Sequence, residues 1–182
     1  MSLCASYLNE GLSRYHRTRN NAANRGGVSG MSPWLHHGMV AATRLVRDAA
    51  EHGTKGAEKF LDEMLVFREH AYHHAHDVDR PYAWDHVPDW ARASWRNTAL
   101  VHPARPAMDL ERAQSNDVLW NAAQRGVVRH GVMHNNVRMT WGKGTVQWME
   151  DPEAAMRLTQ DLNDRNALDG RNTNSIAGVL WG

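Results

Sequence analysis

The 182-residue chain has a single cysteine, Cys4, so neither a disulfide framework nor a thiolate zinc site can form within it. A reducing compartment, the cytosol, is expected. No apolar run approaches the ~20 residues that cross a bilayer, and the N-terminus lacks a charged segment leading into an apolar stretch and a cleavage site. Neither a membrane partner nor export is expected. The net charge is only +1, without the basic excess that marks a dedicated nucleic-acid binder, so composition by itself does not predict DNA binding. Phenylalanine is scarce, at 2 residues, whereas tryptophan and histidine reach 8 and 12. The aromatic content is thus shifted toward side chains that stack, transfer electrons or carry protons. For any one tryptophan, filling a helical core is the plain alternative.

Internal repeats, low-complexity stretches and long linkers are also missing, and alternating β patterning is weak throughout. What is present is helical. Leu8, Leu12, Tyr15 and Arg19 predict a helix over 8–19, and the Asn- and Gly-rich stretch 20–30 predicts a loop. Ser32 as N-cap and Pro33 at the first helical position predict a helix over 33–51. Phe60, Met64, Phe67, Ala71 and His74 predict another over 55–76. Prolines at 81, 88, 103 and 106 then divide the chain into short pieces, including a helix over 88–99. Ser115 or Asn116 is expected to cap a helix over 117–126, followed by a longer one over 130–150. Asp151-Pro152-Glu153 opens the last, to about residue 166. Six or seven helices and no sheet make the class all-α. One domain over 1–182 is expected from the length, with Met1, Ser2 and Leu3 given no weight because they fit a cloning remnant.

Several motifs carry chemistry. At Ser29-Gly30-Met31-Ser32 the loop meets a helix start, where free N–H groups and hydroxyls suit an anion, as at many capped helices. Tyr15-His16-Arg17-Thr18-Arg19-Asn20 reads equally as a helix end whose Arg residues answer the dipole. Glu63, Phe67 and Arg68 lie together on the 55–76 helix among apolar neighbours, where a polar stripe is the ordinary reading. Seven residues separate Trp141 from Trp148, two turns and about 10 Å of rise, a suitable spacing for electron hopping. Trp120 precedes Trp141 by 21 residues on an earlier helix. In the cluster His70, His73, His74 and His76, His70 and His74 have the i, i+4 spacing of metal ligands with His73 alongside, but no Glu or Asp completes a site and a solvated helix end serves as well, so no metal is expected.

Together these motifs resemble the flavin-binding helical domain of the photolyase/cryptochrome family, and most closely that of class II cyclobutane pyrimidine dimer photolyases. The resemblance covers about residues 8–181. Val28 to Gly38 is similar to the family's Ser-Asn-Leu-Ser-Pro-Tyr-Leu-His-Phe-Gly segment, which cradles the pyrophosphate of FAD; Gly30 replaces its Asn, Trp34 its Tyr and His37 its Phe. The resemblance implies that Ser29, Gly30, Met31, Ser32 and Tyr15 bind the cofactor phosphates. It implies that Arg68 lies on the flavin side, and that Arg138 and Asp169 form an ion pair beside the isoalloxazine ring. Asn163 is implied to face flavin N5, with Asn174 as a further cofactor residue. Glu63 is the implied carboxylate against the pyrimidine dimer. Arg19, Asn20, Phe67 (where the family has Trp) and Trp181 are implied on the substrate side, and Asn135 against substrate or adenine. Electrons are implied to pass from the surface inward in the order Trp148, Trp120, Trp141.

The activity implied is light-driven repair of damaged DNA, with the dimer flipped into the pocket and reduced FAD as photoactive cofactor. No antenna pigment is expected, because the family's N-terminal α/β domain has no counterpart in the 182 residues. Two alternatives stand beside this: a cryptochrome-like flavin module without lyase activity, and a helical metal protein built on the histidines. The sequence predicts no oligomeric state.

Overall fold

The computed structural model describes residues 3–97 and 103–181, which divide into two compact units at His76 and Asp77. Among the described residues there is no strand, in keeping with the all-α class.

The first unit holds α1 (Leu3–Glu10), a 3-10 turn at Leu12–Arg14, α2 (Tyr15–Thr18), a 3-10 turn at Arg25–Gly27, α3 (Ser32–His36), α4 (Ala42–Ala50), α5 (Lys55–Asp62), a π turn at Glu63–Phe67 and α6 (Arg68–Asp77). Its core is Tyr7, Leu8, Leu12, Met31, Leu45, Ala49, Ala57, Phe60 and Met64. Leu45 and Ala49 come from one face of α4, and Ala57 and Phe60 from one face of α5. Full burial of a leucine such as Leu12 or Leu45 contributes about 1.5–3 kcal/mol.

Three predicted helices of this unit are broken. The 8–19 helix is interrupted at Gly11 and resumes through a 3-10 turn. The 33–51 helix stops at His36, because the Met39 N–H reaches Trp34 O at 2.9 Å and the Gly38 N–H reaches Leu35 O at 3.2 Å. Those two bonds close a Schellman end, with Gly38 in the left-handed region at φ +68°. Ser32 does not cap α3: it is the first helical residue, and Met31 occupies the cap position without a side-chain bond. The 55–76 helix contains a π turn, whose extra residue carries Leu65, Val66 and Phe67 outward while Met64 stays in the core.

The second unit holds a 3-10 turn at Trp84–His86, α7 (Asp89–Arg96), α8 (Ala107–Glu111), α9 (Val118–His130), α10 (Asn135–Thr145), α11 (Pro152–Asn166) and α12 (Thr173–Trp181). The predicted end of the 88–99 helix at Ala99 lies outside the described residues. Asp117, rather than Ser115 or Asn116, caps α9, its carboxylate accepting the N–H groups of Leu119 and Trp120 at 2.7 and 3.0 Å. Helix α9 runs past the predicted end to His130 and stops at Gly131. Helix α10 is shorter than 130–150 at both ends: His134 caps it and Thr145 closes it. Helix α11 matches its prediction, opened by the Asp151 side chain and Pro152. Helices α8 and α12 were not predicted. The start of α12 was signalled by Asn172, whose Oδ1 accepts the Asn174 N–H at 2.9 Å, but in the sequence Asn172 reads as part of a turn. Among the described residues no helix is long and apolar enough to cross a membrane.

Gly56, on the buried side of α5, lies directly against the backbone after α1. A Cβ there would sit 2.0 Å from Leu12 O and 2.5 Å from Ser13 O. Because the obstacle is backbone, Gly56→Ala is expected to cost at least ~2 kcal/mol of stability, read as a lower urea midpoint. An unchanged midpoint would show that the two segments do not meet this closely.

Candidate functional site

In the first unit, one ionic network joins three residues expected on the substrate side. The Arg19 guanidinium donates to Asn20 Oδ1 at 3.1 Å and, through Nη2, to Glu63 Oε1. The same Glu63 oxygen receives the Lys59 ammonium at 2.9 Å. Lys59 also sits 5.4 Å from the Phe67 ring centroid, a cation–π contact to an aromatic that is half exposed. Hydrogen bonds from Lys59 to Asp62 and then to Glu63 raise the lysine's pKa above its ordinary value. Sequence reasoning missed Lys59, although its i, i+4 relation to Glu63 was visible. Glu63 and Phe67 are the first and last residues of the π turn, an irregularity frequent at functional sites.

Tyr15 packs edge-on against Phe60, with centroids 5.4 Å apart, and the Arg19 guanidinium carbon lies 5.8 Å from its ring centroid. Burial pushes its phenol pKa up, and the hydrogen bond from Arg19 partly offsets this. At the loop-to-helix junction, Ser29 Oγ accepts the Met31 N–H at 3.3 Å, Gly30 is exposed with φ +63°, Met31 is buried and Ser32 is exposed. Arg68 stacks over Tyr72 at 4.5 Å and bonds Glu69 at 2.6 Å and the Tyr72 hydroxyl at 3.0 Å.

In the second unit, Arg138 of α10 meets Asp169 across the turn before α12, Nη2 to Oδ1 at 2.7 Å, and its Nη1 donates to Ser175 Oγ at 3.2 Å. Ser175 in turn donates to the Asp169 carbonyl at 3.1 Å. These bonds use two of the five N–H donors of a guanidinium, so Arg138 keeps donors for an anionic ligand. Asn163, 2% exposed on α11, turns its Nδ2 toward Asp164 Oδ1 at 3.3 Å. Asn135 opens α10, and Asn174 lies in the first turn of α12; both are exposed. Trp181 ends α12 with 71% of its surface exposed.

The three indoles form one cluster with Trp120 at its centre. Trp120 stacks on Trp141, with centroids 6.3 Å apart and planes 13° apart, and meets Trp148 edge-on at 5.4 Å. The Trp120 Nε1–H donates to Trp141 O at 2.8 Å, and the Trp141 Nε1–H to Gln124 Oε1 at 3.0 Å. Gln124, fully buried, passes its own N–H to Glu111 O at 3.2 Å. It stands one turn after Trp120, a signal in Leu-Trp-Asn-Ala-Ala-Gln that sequence reasoning left unused. Two expectations are corrected. Trp148 is not two helical turns beyond Trp141, because α10 ends at Thr145 and tight turns bring Trp148 back, its N–H bonding Thr145 O at 3.3 Å. Nor does Trp148 lie at the surface: it is 1% exposed, with the Arg105 N–H on its carbonyl at 2.8 Å.

Among the described residues no group of three His, Cys, Asp or Glu side chains is placed to hold a metal ion, and the histidines at 70, 73, 74 and 76 form no such group.

The chain is 35% identical to the deoxyribodipyrimidine photo-lyase of Methanothermobacter thermautotrophicus, across 100% of the chain and 40% of that protein. It is 33% identical to the enzyme of that name from Oryza sativa subsp. japonica, across 96% of the chain and 36% of the relative. The same name is carried by a relative from Potorous tridactylus, 32% identical across 100% of the chain and 35% of the relative. The chain belongs to the deoxyribodipyrimidine photolyase family. It spans 35% to 40% of the length of these photolyases. A bacterial class III photolyase from Agrobacterium tumefaciens shares the fold, with a TM-score of 0.76 at 18% identity over 98% of the chain and 36% of that structure. No protein-family profile matches the chain.

In this photolyase-family chain the indole cluster depends on Gln124. Gln124→Leu keeps the volume but leaves the Trp141 N–H and the Glu111 carbonyl without their partner. An expected cost of about 1–3 kcal/mol follows, measured by denaturant unfolding followed through tryptophan fluorescence. A variant as stable as the parent would mean that the glutamine does not bridge them.

Proposed function

We propose that this chain is the FAD-binding helical part of a light-driven deoxyribodipyrimidine photolyase of the class II type, acting on cyclobutane pyrimidine dimers in damaged DNA. The observation that carries the proposal is the Arg138–Asp169 pair at 2.7 Å, in a chain whose relatives bear the photolyase name. A partly buried guanidinium, fixed by Asp169 and Ser175 and with donors to spare, suits the electron-rich edge of a reduced isoalloxazine ring. The buried Asn163 carboxamide suits a ring nitrogen that carries a proton in one redox state and not in another. When bound, reduced FAD supplies the photoexcited electron that splits the cyclobutane ring and then recovers it.

The chain's own residues orient and screen. Tyr15 and the Ser29–Ser32 backbone are assigned to the cofactor phosphates, and Arg68 to the flavin side. Glu63, held by Arg19 and Lys59, is assigned to hydrogen-bond the dimer, with Phe67 as the stacking surface and Asn20, Asn135 and Trp181 as further DNA-side contacts. The linked indoles Trp148, Trp120 and Trp141 are assigned to carry electrons toward the cofactor; their centroid separations of 5.4 and 6.3 Å support the order in which the class II resemblance puts them.

Titration of the purified chain with FAD is expected to give saturable binding, and Arg138→Met is expected to weaken it about tenfold or more, as loss of a charge-assisted contact does. Absence of binding, or full binding by the variant, would overturn the cofactor assignment. Blue-light repair of a dimer-containing oligonucleotide then separates a repair enzyme from a flavin module without lyase activity. In the FAD-loaded chain, Trp120→Phe is expected to slow light-driven reduction of the cofactor at least about tenfold, because an indole radical cation forms more easily than a phenyl one. An unchanged rate would remove Trp120 from the electron path.

A further inference from the structure

We propose that Asp164 is a positioning residue that fixes which way the Asn163 carboxamide faces, turning its N–H group back onto the protein and leaving its carbonyl oxygen as the end that meets the flavin. The inference rests on the assignment of Asn163 to flavin N5 and adds a residue to it. Asp164 Oδ1 accepts three bonds: from Gln160 Nε2 at 2.7 Å, from the Arg171 backbone N–H at 2.9 Å and from Asn163 Nδ2 at 3.3 Å. An oxygen that already accepts the Gln160 and Arg171 N–H groups is an acceptor, so the amide end turned toward it has to be the nitrogen. The opposite end, the oxygen, is an acceptor and selects a partner that carries a proton, such as a protonated ring N5.

The same carboxylate anchors the turn that carries Asp169. Gly170 lies so close to the end of α11 that a Cβ would sit 2.7 Å from Asn163 O and 2.9 Å from both Ala167 O and Asp164 Cα. Arg171, a residue with a side chain, is held in the left-handed region at φ +60°, a conformation that costs on the order of 1 kcal/mol or more unless its surroundings impose it. The bond from its N–H to Asp164 is one such imposition. Asp164 therefore ties the Asn163 amide to the turn that places Asp169 on Arg138. Neither Asp164 nor Gln160 was singled out from the sequence, yet their i, i+4 spacing on α11 was readable.

The test has two arms. In the flavin-free chain, the side-chain amide signals of Asn163 are followed by proton–nitrogen NMR in wild type, Asp164→Ala and Asp164→Asn. The alanine variant is expected to move both amide hydrogens toward the positions of an unbonded carboxamide. The asparagine variant, with one acceptor oxygen to divide among three donors, is expected to move them part of the way, and it carries the comparison if circular dichroism shows that the alanine variant does not fold. In the FAD-loaded chain, the flavin midpoint potential is measured against pH for Asn163→Ala, for the Asp164 variant and for the double variant. The Asp164 change is expected to reproduce at least half of the Asn163→Ala shift and to add little in the double variant, as coupled residues do. Unmoved Asn163 signals overturn the proposal, as does a potential that responds to Asn163→Ala but not to the Asp164 change. If the amide signals move while Asn163→Ala leaves the potential where it was, Asp164 does position Asn163, and the assignment of Asn163 to flavin N5 is what falls.

Discussion

The Nε1–H of Trp141 has no route to water and has to find an acceptor inside the second unit. That requirement organises the region around it. Gln124 supplies the acceptor, and because its own amide is fully buried it needs a partner too, which it finds in the Glu111 carbonyl of α8. Trp120 settles its N–H on the Trp141 carbonyl, so the two indoles are locked by hydrogen bonds as well as by stacking. An unmade bond in such an interior costs about 1–3 kcal/mol, comparable to a buried aliphatic side chain, so the network selects one packing among those that hydrophobicity alone would allow. The result is rigid, close-spaced aromatic rings with fixed relative orientations. Hydrophobic burial by itself would not fix those orientations.

The carboxylates at the end of α11 apply the same constraint to the backbone. Asp164 and Asp169 belong to adjoining segments: Asp164 takes Gln160 and Asn163 of its own helix and Arg171 of the turn beyond it, and Asp169 takes Arg138 of α10. With Gly170 admitting no side chain, the turn can approach α11 closely enough for both sets of bonds to form together. The guanidinium of Arg138 is thus held by a strained and doubly anchored loop rather than by a flexible one, so its position is fixed in advance of any ligand.

What the sequence disclosed followed from the range of the interaction behind it. The all-α class and the span of α11 were legible because caps and 3.6-residue periodicity are local: Asp151-Pro152-Glu153 needs no distant partner to begin a helix. The Arg138–Asp169 pair and the grouping of Trp141 and Trp148 about Trp120 were legible through family resemblance, not through spacing. Spacing misleads for Trp141 and Trp148 because the helix that carries Trp141 ends at Thr145. Boundaries failed where a carbonyl was captured out of sequence, as Trp34 O is by Met39, or where one added residue widened a turn, as at Glu63–Phe67. Gln124, Lys59 and Asp164 were overlooked because polar residues on helices are ordinarily solvated, and only the packed structure shows which of them answer to a buried partner.

The network on the π turn of the first unit obeys the opposite rule from the indole cluster. The side chains of Arg19, Glu63 and Lys59 are 21%, 24% and 33% exposed, and Phe67 presents half of its surface to solvent. Ion pairs this accessible are screened, and each contributes little to stability. Their use lies elsewhere. Two cations on one carboxylate hold Glu63 in place, while water can still replace any one of the bonds at small cost. An entering polar ligand can therefore take over part of the hydrogen bonding of Glu63 without leaving a buried charge unpaired, which a dry network such as that around Gln124 would not permit. The wider π turn is the backbone device that turns apolar Leu65, Val66 and Phe67 to solvent side by side, next to a network whose bonds water or a polar ligand can replace.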